Sequence, residues 1–137
     1  MRILQFSVRG IPAPQGSKRY VGGGRMIESS KKVKPWREAV KWAAIEAMPH
    51  GWEKLDGPLV LSVVFWMPRP KSAKKATAAF RMPDLSKLIR STEDALTDAG
   101  VWVDDARVCS IIAEKQYQTP HCLPGARISV YPWEGRF

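Results

Sequence analysis

The sequence predicts a single α+β domain spanning residues 1–137, with a mixed sheet of about four strands and two main helices. Three observations predict it. A chain of 137 residues with 45% apolar content and six Trp is the right size for one packed core. Two stretches carry a helical period, and four β-rich runs are distributed around them. No internal repeat and no composition shift marks a second unit.

In chain order, ILQFSV alternates Ile3, Gln5 and Ser7 against Leu4, Phe6 and Val8, which predicts a first strand. The following RGIPAPQGSKRYVGGGRM, rich in Gly, Pro and basic residues, predicts a loop. Its VGGGR lacks the spacing and the strand-to-helix setting of a phosphate-binding motif. In SSKKVKPWREAVKWAAIEAMPHG, Trp36, Val40, Ala43, Ala44 and Ala47 form one apolar stripe. Pro35 suits the first turn, and Pro49, His50 and Gly51 stop this helix. PLVLSVVFWM then reads as a central strand.

A basic loop follows, PRPKSAKKATAAFRMP, ending directly before Asp84. Leu85, Leu88, Ile89, Thr92, Leu96 and Ala99 fall on one helical face, with Asp84 as N-cap and Gly100 as stop. A strand from about Arg107 to Lys115, a turn at Pro124–Gly125 and a last strand through Ile128 and Val130 complete the chain. Trp36, Trp66 and Trp102 sit within apolar patterns and are expected in the core.

The formal net charge of +9 favours nucleic acid or another anionic surface as partner. No apolar run approaches the roughly 18 residues of a membrane span, and no signal-peptide pattern opens the chain. Cys109 and Cys122 follow no metal spacing and are expected to be reduced thiols. The expected compartment is the cytoplasm.

Against this basic background, six of the 13 acids (Asp84, Glu93, Asp94, Asp98, Asp104, Asp105) fall between Met82 and Val108. Asp84 and Asp94 stand roughly 15 Å apart along a helix, too far to share an ion directly. Glu93, Asp94 and Asp98 are expected on a solvated face, with Arg90 pairing to Asp94 at i, i+4. Asp84 differs, because exposed N–H groups at a helix start keep a carboxylate ionised and can receive a phosphate. Asp104 and Asp105 follow the helix, and in an extended segment only one of the two can face Asp84. Spacing leaves two readings open: a joint site, or an N-cap with two turn aspartates.

The segment PDLSKLIRSTEDALTDAGVWVDDARV resembles the signature of RusA-type Holliday-junction resolvases, approximately P-D-x-D-N-L-x-K, D-A-L and G-x-x-x-D-D-x-x-V. Pro83, Asp84, Leu88, Asp94, Ala95, Leu96, Gly100, Asp104, Asp105 and Val108 fall in register over this ungapped stretch. Weaker similarity covers Pro14 to Arg19, the basic loop from Arg69, and Lys115 with Pro124–Gly125. The resemblance implies a Mg²⁺-dependent, homodimeric endonuclease that cuts opposed strands of a four-way DNA junction. It needs no small-molecule cofactor and no membrane.

By position, the resemblance makes Asp84 and Asp105 metal-binding catalytic residues, with Asp104 a reserve ligand. Arg90 stands where the family has a catalytically important lysine. The family's second aspartate is Ser86 here, and its neighbouring asparagine is Lys87, a further candidate for neutralising phosphate charge. A serine hydroxyl is a weak ligand for a hard cation, but Mg²⁺ is commonly held by one or two carboxylates plus waters and phosphate oxygens. Lys18, Arg19, Lys71, Lys74, Lys75 and Arg81 are the expected phosphate-gripping residues, giving affinity rather than sequence choice. Two rival readings stand beside this one: a branched-DNA-binding protein with weakened or no catalysis, and a small basic RNA-binding domain.

Overall fold

The computed structural model describes residues 2–15, 18–20, 26–28, 31–73 and 77–135, with backbone alone for 18–20 and 26–28. The elements are β1 (Leu4–Arg9), β2 (Lys18–Tyr20), β3 (Met26–Glu28), α1 (Val33–Ala47), β4 (Leu59–Met67), α2 (Leu85–Ala99), β5 (Val108–Tyr117) and β6 (Gly125–Pro132). Four of the strands form a mixed sheet in the order β1-β6-β4-β5, so the expected α+β architecture with two helices is found.

β4 is the central strand. It pairs antiparallel with β6 and parallel with β5. Parallel neighbours cannot be joined by a tight turn, and α2 lies in the crossover between them. This setting explains the apolar run LVLSVVFWM, because a strand flanked on both sides and covered by helices has few solvated positions. Leu61, Val63 and Phe65 are buried there with Ile128 and Val130 of β6. Under them the Trp36 and Phe65 rings meet at a centroid distance of 6.3 Å, tilted by 56°.

The helices pack on each other, α1 against β1 and α2 against β5. Buried polar atoms join them: Trp36 Nε1 donates to Thr92 Oγ1 at 3.3 Å, and that hydroxyl donates to Leu88 O at 2.8 Å. Ser91 Oγ donates to Ala13 O at 2.6 Å, and the Gln15 amide donates to Lys87 O at 3.0 Å. The segment after β1 is thereby fastened across the first half of α2.

Two details depart from expectation. β2 and β3 pair antiparallel within the stretch expected as loop. Strands of three residues are too short to register as an alternation, although a glycine run between β-prone residues is a hairpin signal. Trp66 is only partly buried, with Nε1 on Gln116 Oε1 at 3.2 Å, whereas Trp36 and Trp102 are core residues. Gly125 opens β6 at φ +154°, where a Cβ would lie 2.1 Å from Val8 O, so the close approach of β1 and β6 demands glycine there. Cys109 and Cys122 are free thiols.

Candidate functional site

α2 begins where its sequence chemistry places it. Asp84 occupies the N-cap at φ −67° and ψ 136°, and its backbone carbonyl accepts from the amides of Lys87 and Leu88 at 3.1 Å each. Its carboxylate, however, makes no capping hydrogen bond. The side chain is exposed, and Lys87 Nζ stands 3.9 Å from Oδ2 in a loose ion pair, so the carboxylate sits in positive surroundings. Such a group at a helix start is open to solvent, and the helix dipole favours negative charge there.

A second cation approaches from the sheet. Lys115 lies on β5 in the series Ile111, Ala113, Lys115, Tyr117, and its neighbour across the parallel pair is the buried Phe65. Nζ donates to Arg81 O and to Pro83 O, both at 2.7 Å. Desolvation lowers the Lys115 pKa below its usual value, and the Asp84 charge works in the opposite direction. Lys115 therefore pins the end of the basic loop to the sheet just before Asp84. This residue carried no expected role. The signal was a lone cation in an otherwise apolar i, i+2 series.

The other acids gather farther along α2. A shallow cleft of about 200 Å³ is lined by Arg37, Asp94, Asp98, Asp104 and Asp105, among others. Asp104 Oδ1 accepts from Ala106 N at 2.7 Å and holds the turn that enters β5. That bond, and a hydrogen bond from Asp105, keep the Asp104 carboxyl below its usual range. Asp105 is pushed up by desolvation, by the same bond to Asp104, and by the charges of Asp104 and Asp94.

Glu93 corrects the expectation of a plain solvated face. It is partly buried, and burial together with the Asp105 and Asp94 charges pushes its carboxyl up to about 7. Arg90 opposes the rise at both Glu93 and Asp105. Asp98 pairs with Arg37 of α1 at 3.0 Å, a bridge between the helices rather than within one. Among the described residues no Arg90–Asp94 ion pair forms.

Asp105 is thus brought together with Asp104, Asp94, Glu93 and Arg90, and Asp84 with Lys87 and Lys115. Asp84 is not among the charges that perturb Asp105. Among the described residues no three acids, histidines or cysteines converge as a cation cage. Of the expected DNA contacts, Lys18 and Arg19 lie in β2, Lys71 is exposed in a 3₁₀ turn, and exposed Arg81 donates to Ser72 Oγ at 2.5 Å. Lys74 and Lys75 lie outside the described residues. No described helix is long and apolar enough to cross a membrane.

Exposed carboxylates beside cations, on a strongly basic chain, suit handling of a phosphodiester. No curated protein matches the chain. The family model described as Endodeoxyribonuclease RusA matches residues 9–131, nearly the whole length and all of the elements that carry these acids. The chain therefore belongs to the RusA endodeoxyribonuclease family.

Proposed function

We propose that the chain is one endonuclease domain over residues 1–137 that works in the cytoplasm as a homodimer and resolves four-way DNA junctions with Mg²⁺. The family match over residues 9–131 carries this reading. A two-fold symmetric protein suits a symmetric junction, with one site for each of two opposed strands.

The donor chemistry fits a hard divalent cation. Asp84 offers two oxygens free of capping duty, and the crowded Asp105 carboxyl is raised in a way that nearby positive charge would relieve. Asp84 and Asp105 would hold the ion, with Asp104 in reserve. Bound there, Mg²⁺ would supply an activated water and stabilisation of the leaving oxygen. Lys87 and Arg90, one turn apart on α2 and exposed, neutralise charge developing on the phosphate. Lys115 is a positioning residue, holding the chain that delivers Asp84. Lys18, Arg19, Lys71, Lys74, Lys75 and Arg81 grip the backbone of the arms.

The test is incubation of purified protein with a synthetic four-way junction and Mg²⁺, alongside linear duplex and an Asp84→Asn variant. Paired incisions on the junction that vanish in the variant are expected. Absence of junction cutting, or cutting indifferent to Asp84→Asn, removes the catalytic claim. Ser86 favours a second reading, a junction binder with little or no catalysis, because a hydroxyl stands where the family signature carries a carboxylate. A large gain of cutting in Ser86→Asp would identify the natural site as weakened.

A further inference from the structure

Beside the Asp84 end of α2 lies a cavity of about 620 Å³, within the size range of small-molecule sites. We propose that it seats one unstacked nucleobase of the bound DNA and thereby sets which sequences are cut. The proposal rests on the junction-nuclease reading and adds its base recognition.

Four features select this occupant. The walls are apolar and include Ile11, Met67 and five prolines, a lining suited to a flat ring. Lys32, Arg69 and Arg81 also line the cavity, and among the described residues no acid does, so its charge complements a nucleotide's phosphate. Tyr117 is 4% exposed, and its hydroxyl is buried without a hydrogen-bond partner among the described residues. Buried hydroxyls are rarely left so, and this one can donate to or accept from a base edge. Finally, Pro83 in the wall immediately precedes Asp84, which puts the cavity next to the carboxylate where the proposed cutting takes place.

The approach is shaped for the same task. Phe80 and Met82 flank Arg81 and are 75% and 88% exposed. Large apolar side chains kept in water beside a cation suit stacking against an opened base step. The Arg69 guanidinium stands 5.4 Å over the Tyr117 ring and donates to Gln118 O, which fixes the cavity's inner wall. A branch point supplies unstacked bases at low cost, which matches a seat that cannot read a stacked duplex.

The probe is 2-aminopurine placed near the branch of a synthetic junction, and separately in a single strand, both in EDTA so that cutting plays no part. Wild type is expected to change its fluorescence severalfold. Ile11→Trp, at a half-exposed position, narrows the mouth and should abolish most of the change. Tyr117→Phe should melt no lower than wild type, having lost only an unpartnered hydroxyl, and should flatten the cutting preference among bases at the incision by fivefold or more. A response untouched by Ile11→Trp together with unchanged preference in Tyr117→Phe overturns the base seat, as does silence of wild type on both probes. A full probe response without cutting under Mg²⁺ sinks the nuclease reading alone and supports the seat.

Discussion

Glu93→Gln isolates the electrostatic strain at the middle of α2. The unfolded carboxyl releases its proton near 4.5, whereas burial and the Asp105 and Asp94 charges hold it to about 7 in the folded protein. Between these values the unfolded chain binds fewer protons than the native one, so stability falls as pH rises. The loss begins near pH 4.5, grows through about pH 7 and is complete above it. At about 1.36 kcal/mol per pH unit, the difference between 4.5 and about 7 corresponds to ~3.4 kcal/mol. Glu93 is only partly buried, and solvent screening reduces this to about 1–2 kcal/mol. Glutamine keeps the shape and removes the titration. Urea unfolding of both proteins is measured on either side of the window, near pH 4.5 and near pH 8. The variant's stability relative to wild type should rise by about 1–2 kcal/mol between the two conditions. A relative stability that stays flat within ~0.3 kcal/mol refutes the crowding of Glu93 against Asp105.

Three further perturbations test other parts of the structure. Lys115→Met leaves Arg81 O and Pro83 O without their donor, and should lower stability by about 1–2 kcal/mol by chemical denaturation. It should also slow junction cutting about tenfold with little change in junction affinity, whereas unaltered cutting would dismiss the positioning role. Gly125→Ala forces a Cβ against Val8 O and should cost at least about 3 kcal/mol, seen as a large drop in Tm; a wild-type Tm would contradict the close β1–β6 approach. Thr92→Val removes the acceptor of buried Trp36 Nε1 and should cost about 1–3 kcal/mol in urea, with a neutral result arguing against that bond.

What could be read from the chain follows from how local the determining chemistry is. The bounds of α2 were legible because Asp84 and Gly100 carry its start and stop, and Gly100 adopts the left-handed φ of 82° that such a stop uses. The strand series of β1, β4 and β6 were legible because one face of each is buried in strict alternation or nearly so. The setting of Glu93 was not legible. Its partner Asp105 lies beyond the end of the helix, and only the fold of the turn capped by Asp104 brings the two together. The tether of Lys115 to Pro83 depends likewise on the packing of α2 against β5. The family signature marked Asp84, Arg90, Asp104 and Asp105 as a set, but sequence spacing could not show that Asp84 keeps company with lysines and Asp105 with acids.

The unbonded side chain at the head of α2 has a thermodynamic consequence. A residue that could tie down the leading amides leaves them loose, and the helix forgoes on the order of 1 kcal/mol that capping supplies. That slack sits at the atoms a cation and a phosphate oxygen would engage. Engagement of the proposed ion would firm up the opening turn, so the protein should gain resistance to unfolding as Mg²⁺ is added.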